Sequence, residues 1–270
     1  MDLPLDQIGV PFRMQPGLAR IAPHQARLTP LPASSALHAE KQQVLNRGEG
    51  ILGVPGFDPR PALGALAQLH PERESSTFDD PRQVALDWQE DLAVLDGRDG
   101  RLVWLSVCTP SHWAPEDKLG LKFAEVHAPV ADNAALLAAS NALVRLVTGG
   151  ACWQRHVWTF TPDPRFDQHP RRTVRRAWPP DSDPEVCAAA TWVRVERQHF
   201  VPVPVGPGNP HPMAVFTIRL MIEPLTLVAA DPAWARRLHD ALASMSEAIL
   251  AYKNLGPARA PLLRWLARHS

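Results

Sequence analysis

The chain has 270 residues, of which 45% are hydrophobic, and its 28 basic residues balance its 28 acidic ones. This length suggests one large domain, or one domain with a sizeable extension, and it allows a substantial buried core. Because the net charge is zero, there is no overall basic field. We therefore expect neither nucleic acid nor an anionic membrane as a partner.

The cysteines also exclude several classes of site. Cys108, Cys152 and Cys187 lie far apart and form no CxxC pair, which argues against a disulfide framework and against zinc or iron–sulfur sites within this chain. The N-terminal segment lacks the basic and apolar regions of a secretory signal. No run approaches the ~18 apolar residues of a membrane span. We expect a cytoplasmic protein.

The first 90 residues predict an arm followed by helices. Residues 1–34 are rich in proline and predict an extended arm on the surface of the domain. Helices are predicted over 34–46, 62–69 and 79–89, with Ser34 or Ser35 as a cap of the first. The GxGxxG match at 48–53 follows a helix rather than a strand, so we interpret it as a loop.

Strands dominate the middle of the chain. The apolar runs at 91–95 and 102–108, joined by an Asp/Gly-rich turn, predict a hairpin. Three more strands are predicted, over 153–160, 191–201 and 214–223. In the second of these, Arg194, Glu196 and Gln198 share one face, which is either solvated or lines a pocket.

Helices are predicted between and after these strands. One covers 132–147 and ends at a Gly-Gly pair, and another starts at Asp231-Pro232 and runs to Tyr252. The polar stretch 161–184 predicts a long functional or mobile loop. Residues 256–270 predict a short basic helix packed peripherally.

This order of elements indicates an α+β fold. We predict a PAS-like five-stranded antiparallel sheet with a helical excursion between its second and third strands. The expected parts are an N-terminal arm with helices over 1–90, the PAS-like domain over 91–255, and a C-terminal tail with a helix over 256–270. Such a sheet forms a concave face that can hold a flat cofactor against the excursion.

His127 is the best-placed candidate ligand among the 11 histidines. It follows a short amphipathic run that contains Leu119, Phe123 and Val126, and Pro129 prevents the helix from continuing. A histidine held in this way can bind a metal ion or haem iron. An ordinary structural role remains the alternative.

Arg219 is the only charge in the apolar strand AVFTIRLMI. A buried charge is usually paired, and Glu196 on a neighbouring strand is the predicted partner. Such a pair is either structural or part of a pocket.

Six motifs then occur in a fixed order. They are PSxW (Pro110–Trp113), KLGxxxxxxHxPV (Lys118–Val130), RxxW (Arg155–Trp158), RVERQ (Arg194–Gln198), FTIR (Phe216–Arg219) and YK (Tyr252 and Lys253). Together they resemble the α subunit of haem-dependent oxidative N-demethylase and its relatives, over about Leu92 to Lys253.

The resemblance implies a haem-binding PAS-type domain with haem b as cofactor and His127 as the proximal iron ligand. It implies cofactor contacts from four further residues, which are Lys118, Trp113, Arg155 and Trp158. Glu196 and Arg219 are the catalytic candidates, because their strands should line the pocket and a carboxylate can hold an ammonium substrate.

The same resemblance implies an activity and partners. The characterised enzyme uses haem to activate O2 and oxidises dimethylamine to methylamine and formaldehyde, with electrons from NADPH through flavin and an iron–sulfur centre on other subunits. We therefore expect a monooxygenase subunit that acts on a small amine with O2. A separate flavin and iron–sulfur reductase would supply the electrons.

Three departures from the family pattern weaken the expectation of dimethylamine as substrate more than that of haem binding. Val157 replaces an Asn before Trp158, residues 131–133 replace a Pro and an aromatic, and Thr109 replaces a Phe. Two alternatives stay open: a haem-binding module that senses or stores a gas without turnover, and a PAS-like structural subunit that has lost haem.

Overall fold

A computed structural model describes residues 3–179, 183–206 and 208–270. Its strands, in chain order, are β1 (Ala19–Ile21), β2 (Ile51–Gly53), β3 (Asp91–Asp96), β4 (Leu102–Ser106), β5 (Cys152–Thr161), β6 (Trp192–Val203) and β7 (Met213–Pro224). Within the described ranges they form one seven-stranded sheet in the order β1-β5-β6-β7-β3-β4-β2. Every neighbouring pair is antiparallel.

The helices surround this sheet. They are α1 (Ala36–Asn46), α2 (Arg60–Ala67), α3 (Pro81–Asp87), α4 (Phe123–His127), α5 (Ala134–Ala138), α6 (Ser140–Thr148), α7 (Pro184–Ala189), α8 (Leu225–Val228), α9 (Pro232–Ala243), α10 (Glu247–Tyr252) and α11 (Gly256–His269). Side-chain caps fix several starts: Ser35 accepts a hydrogen bond from the His38 amide, and Asp231 accepts one from the Ala233 amide. None of these helices, within the described ranges, combines the length and apolar character needed to cross a bilayer.

The α+β class is confirmed, but the predicted number of strands is wrong. The five predicted strands are present as β3 to β7, and the predicted helical excursion is present as α4 to α6 between β4 and β5. Two three-residue strands extend the sheet at its edges. One, β2, lies in the GxGxxG match that we interpreted as a loop, and the other, β1, lies in the arm. Strands this short carry no period that the sequence could reveal.

Three helix predictions also need correction. The helix expected over 132–147 is split into α5 and α6 at Ala139, and the one expected over 231–252 is split into α9 and α10. In the second case Ser246 starts a new helix, because its side chain accepts a hydrogen bond from the Ile249 amide. The tail is not peripheral, since α11 buries Leu262 and Trp265 in the same core cluster as α9.

Side chains along a strand alternate between the two faces of a sheet, and this sheet is covered on both. We call the side beneath the helical excursion the excursion face; it carries Arg155, Glu196, Gln198, Phe200 and Phe216. Phe200 packs there with Val144 and Val147 of α6. The opposite face packs against the N-terminal helices at one end and α9 to α11 at the other.

Candidate functional site

His127 is the last residue of α4, and its imidazole is held in one orientation. Its Nδ1 atom lies 2.8 Å from the carbonyl oxygen of Phe123, one turn earlier. A carbonyl oxygen only accepts, so Nδ1 carries the proton and the Nε2 lone pair remains available. The Phe123 ring packs on the imidazole, with 4.2 Å between centroids. Burial lowers the pKa of His127, which favours the neutral, ligating form.

Helix α4 has only five residues, and contacts at both ends hold it. At its start the Lys122 amide donates to Glu125 Oε2 at 2.6 Å. At its end the Asn133 side chain donates to the carbonyl oxygens of His127 and Ala128, at 3.0 and 2.9 Å. Lys118 lies alongside, with Nζ 3.4 Å from the Val126 carbonyl oxygen. The short helix therefore presents His127 from a fixed frame.

Arg155 lies on β5, on the excursion face, close enough for its charge to help lower the pKa of His127. Its Nε atom is buried, and no described residue forms a hydrogen bond or ion pair with the guanidinium. Burial lowers the pKa of Arg155. The charge of Glu196 opposes this lowering, but a buried cation without a hydrogen-bond partner is still costly. This guanidinium is therefore suited to an anionic or hydrogen-bond-accepting ligand.

Arg155 borders an apolar pocket between the sheet and the excursion. The pocket is partly open and is lined mainly by aliphatic and aromatic side chains, among them Phe123, Leu143, Val144 and Phe200. Such walls suit a flat apolar ligand with few polar groups.

The N-terminal arm forms one wall of this pocket, through Pro16 and Leu18. Further back, the Phe12 amide donates to Ser244 Oγ at 2.8 Å, and the Phe12 ring meets Trp158 edge-on with 5.9 Å between centroids. The arm then joins the sheet as β1, beside β5. It is therefore part of the site and not only a surface extension.

Glu196 lies on β6, also on the excursion face, opposite Val157 of β5. Ser111 Oγ donates to its Oε1 at 2.5 Å, and Gln198 Nε2 donates to its Oε2 at 2.7 Å. The carboxylate is half-buried. Its negative charge acts on three buried cations, because it opposes the lowering of the pKa values of Arg155, Arg194 and Lys253. A small cation bound here would share this counter-charge with them.

The predicted pairing of Glu196 with Arg219 is wrong. The register places Arg219 opposite Arg197, whereas Glu196 is opposite Leu220. Since neighbours in register share a face, the two side chains point to opposite sides of the sheet. Arg219 donates instead to Gln89 Oε1 at 2.9 Å.

The two predicted tryptophans have different positions. Trp113 packs beneath the excursion, against the cluster of Ala93 and Leu105. Trp158 lies on the opposite face, between Phe12 and Phe160 in the core that contains α9 to α11. The structure thus brings His127, Lys118, Arg155, Trp113 and Glu196 to one side of the sheet and separates Trp158 and Arg219 from them.

Two residues of the site were not predicted as functional. Arg194 is only 2% exposed and contacts Ser111, which in turn contacts Glu196. The alternation in β6 had placed Arg194 on one face with Glu196 and Gln198, and that face was interpreted either as solvated or as lining a pocket. Gln198 is also only 8% exposed, so the solvated interpretation is wrong. This face is a buried polar cluster and not a solvated surface. Ser111 carried no signal beyond its place in PSxW.

The described residues contain no group of three His, Cys, Asp or Glu side chains arranged to hold a metal ion. A cofactor that brings its own iron needs only one such ligand. The neutral imidazole of His127 is therefore the relevant donor, and the apolar pocket provides the surface beside it. A sequence model of the family described as "Haem-dependent oxidative N-demethylase, alpha subunit-like" matches residues 66–263, which is more than half of the chain.

Proposed function

Because the chain belongs to the family of haem-dependent oxidative N-demethylase alpha subunit-like proteins, we propose that it binds haem b in the pocket beneath the excursion and oxidatively demethylates a small amine. The observation that carries the proposal is the pair formed by His127, with Nε2 available, and Arg155, whose guanidinium has no hydrogen bond or ion pair to a described residue. They lie on the two elements between which the pocket forms.

The side chains that line the pocket, together with His127, which packs against the pocket residue Phe123, suit haem in three respects. His127 offers a neutral nitrogen for the iron. Phe123, Val144 and Phe200 give the macrocycle an apolar surface. The Arg155 guanidinium suits a carboxylate, because arginine binds carboxylates through paired N–H groups. We also assign Lys118 and Trp113 to cofactor binding, and we propose that the five longer strands with their excursion form the PAS-type unit.

Haem, when bound, supplies the redox chemistry that activates O2. Side chains of the protein exclude water and bind the substrate. The apolar walls exclude water, and Glu196 holds the substrate as an ammonium ion through its negative charge. Trp158 and Arg219, on the opposite face, act through the packing and hydrogen bonding of the sheet.

The electrons require other components. The sequence has three distant cysteines and no credible nucleotide-binding motif. The family description names an alpha subunit, which implies further subunits. We propose a separate flavin and iron–sulfur reductase as the electron donor.

Haem binding is tested by the absorption spectrum of protein produced with added haem precursor. We expect a Soret band that is lost in His127→Ala and kept in His24→Ala, because His24 is exposed. A colourless wild-type protein, or an unchanged Soret band in His127→Ala, would contradict the proposal.

Catalysis needs its own test. The haem-loaded protein is given dimethylamine and other small secondary amines, with a surrogate reductant and O2, and formaldehyde is measured. Formaldehyde production that depends on both the amine and O2 is expected. An intact haem spectrum with no formaldehyde from any amine would favour a gas-binding module instead.

A further inference from the structure

Hydrogen bonds link the segment that follows β5 to Glu196. Arg194 on β6 donates to the carbonyl oxygens of Arg165 and Phe166, at 3.1 and 3.0 Å. Its Nε atom donates to Ser111 Oγ at 3.0 Å. Ser111 then contacts Glu196.

The direction of these hydrogen bonds follows from their chemistry. Arginine has no acceptor atom, so Ser111 Oγ accepts from Arg194. The hydroxyl hydrogen of Ser111 is then free to point at Glu196 Oε1, which lies 2.5 Å away. Gln198 donates to the other carboxylate oxygen. Both oxygens of Glu196 therefore have a fixed donor, which sets the orientation of the carboxylate.

The turn that carries Ser111 is itself constrained. The next residue, His112, has a φ of 60°, which non-glycine residues seldom adopt. Such conformations persist only where the surroundings impose them. The Arg194–Ser111–Glu196 hydrogen bonds are part of those surroundings.

We propose that Ser111 is the positioning residue for substrate binding: held by Arg194, it fixes the Glu196 carboxylate in the orientation that binds a small ammonium ion. This inference rests on the proposed function, because it assigns the ammonium ion to Glu196. The inference adds Ser111, which does not touch the reacting groups. It also makes the selectivity for cations depend on the orientation of the Glu196 carboxylate.

The segment after β5 shares in this arrangement. Arg172 donates to Asp167 at 2.8 Å and to the Cys108 carbonyl oxygen at 2.9 Å, which ties the segment to the chain just before Ser111. Residues 162–179 form the long loop that the sequence predicted, and these contacts anchor it next to the turn that carries Ser111. Residues 180–182 of that prediction lie outside the described part of the chain.

The test compares two substitutions of nearly equal shape. Ser111→Thr keeps the hydroxyl, and Ser111→Val removes it. Binding of dimethylammonium chloride to the haem-loaded protein is measured by calorimetry, with neutral N-methylformamide as a probe of similar size. Glu196→Gln is the reference for loss of the charge, and Ser35→Ala, which removes a distant helix cap, controls for lost stability.

We expect Ser111→Val to bind dimethylammonium roughly tenfold more weakly, since a hydrogen bond to a charged group is lost. Ser111→Thr should stay within about twofold of wild type on the same basis. The Soret band and the binding of the neutral probe should not change. If Ser111→Val does not fold, Ser111→Ala takes its place with the same expectation.

Equal dimethylammonium affinities for the Thr and Val variants, with Glu196→Gln weakened, would overturn the role of Ser111 and leave the amine-binding role of Glu196 standing. If Glu196→Gln binds as wild type does, both roles are overturned. Haem binding is decided separately, by the Soret band of His127→Ala.

Discussion

Replacing Arg155 by methionine should make the haem-free protein more stable. The guanidinium Nε is buried, and the group has no hydrogen bond or ion pair to a described residue. Leaving a polar group unsatisfied in the interior costs about 1–3 kcal/mol, and more when the group is charged. Methionine retains the apolar stem that packs in the pocket and removes the charge.

The size of the gain follows from the position of the side chain. Arg155 borders a partly open pocket and feels the charge of Glu196, and both offset part of the cost. We therefore expect the lower half of that range, about 1–2 kcal/mol. Urea unfolding of the haem-free protein, followed by circular dichroism, should show a higher midpoint at an unchanged slope. The melting temperature should rise by roughly 2–4 °C for each kcal/mol.

The neighbouring strand provides a matched control. Arg194 is also buried and lies on the same face, but its guanidinium donates to Ser111 Oγ and to the Arg165 and Phe166 carbonyl oxygens. Arg194→Met leaves these acceptors unsatisfied and should cost about 3 kcal/mol or more. The two substitutions should therefore change the unfolding free energy in opposite directions.

In the haem-loaded protein, Arg155→Met should be unfavourable, in contrast to its stabilising effect on the haem-free protein. If its guanidinium binds a carboxylate of haem, Arg155→Met should lose haem to an acceptor protein roughly tenfold faster than wild type, because a charge-assisted contact is missing. Two results together would refute this reasoning. They are a haem-free Arg155→Met protein that is destabilised as much as Arg194→Met, and a rate of haem loss that is unchanged by Arg155→Met.

Three further predictions concern buried ionisable groups. Lys41→Ala should lower the unfolding free energy, measured by urea unfolding, by about 3–5 kcal/mol, because it leaves Asp91, the partner of Lys41 at 3.2 Å, as an unpaired buried charge. A loss below ~1 kcal/mol would show that water reaches the pair. Burial lowers the pKa of His199 from 6.5 to about 4, so the folded state should lose stability as the pH falls from 6.5 towards 4, where only the unfolded state takes up the proton; His199→Gln should flatten that part of the urea profile. Burial lowers the pKa of Lys253 from 10.5 to about 8, so stability should rise between pH 8 and 10.5, and Lys253→Met, measured over the same range, should lack this rise.

The features that the sequence predicted well are local ones. The Asp/Gly-rich turn between β3 and β4 specifies a hairpin within about ten residues. Ser35 and Asp231 mark helix starts through a side chain that bonds an amide two or three positions later. The end of α4 at His127 follows from Pro129 in the same way. Each of these signals acts between residues close together in the chain.

The features that were missed depend on distant parts of the chain. The edge strand Ala19–Ile21 exists only because β5 lies beside it. Whether Arg219 meets Glu196 is decided by the register of β6 on β7, and a shift of one residue moves a side chain to the other face. Lys41 is wholly buried in helix α1, where the sequence shows an ordinary charged position. Such facts come from tertiary packing.

The wall that the arm contributes to the pocket has a consequence for how the protein folds. Strands β6 and β7 are neighbours in both sequence and space, whereas the arm pairs Ala19 with Gln154 and bonds Phe12 to Ser244. Closing such long loops costs more chain entropy than forming local pairs. We expect the sheet to assemble first and the arm to dock last. Until then the pocket lacks one wall, so we expect the proposed haem to enter before the arm closes over it.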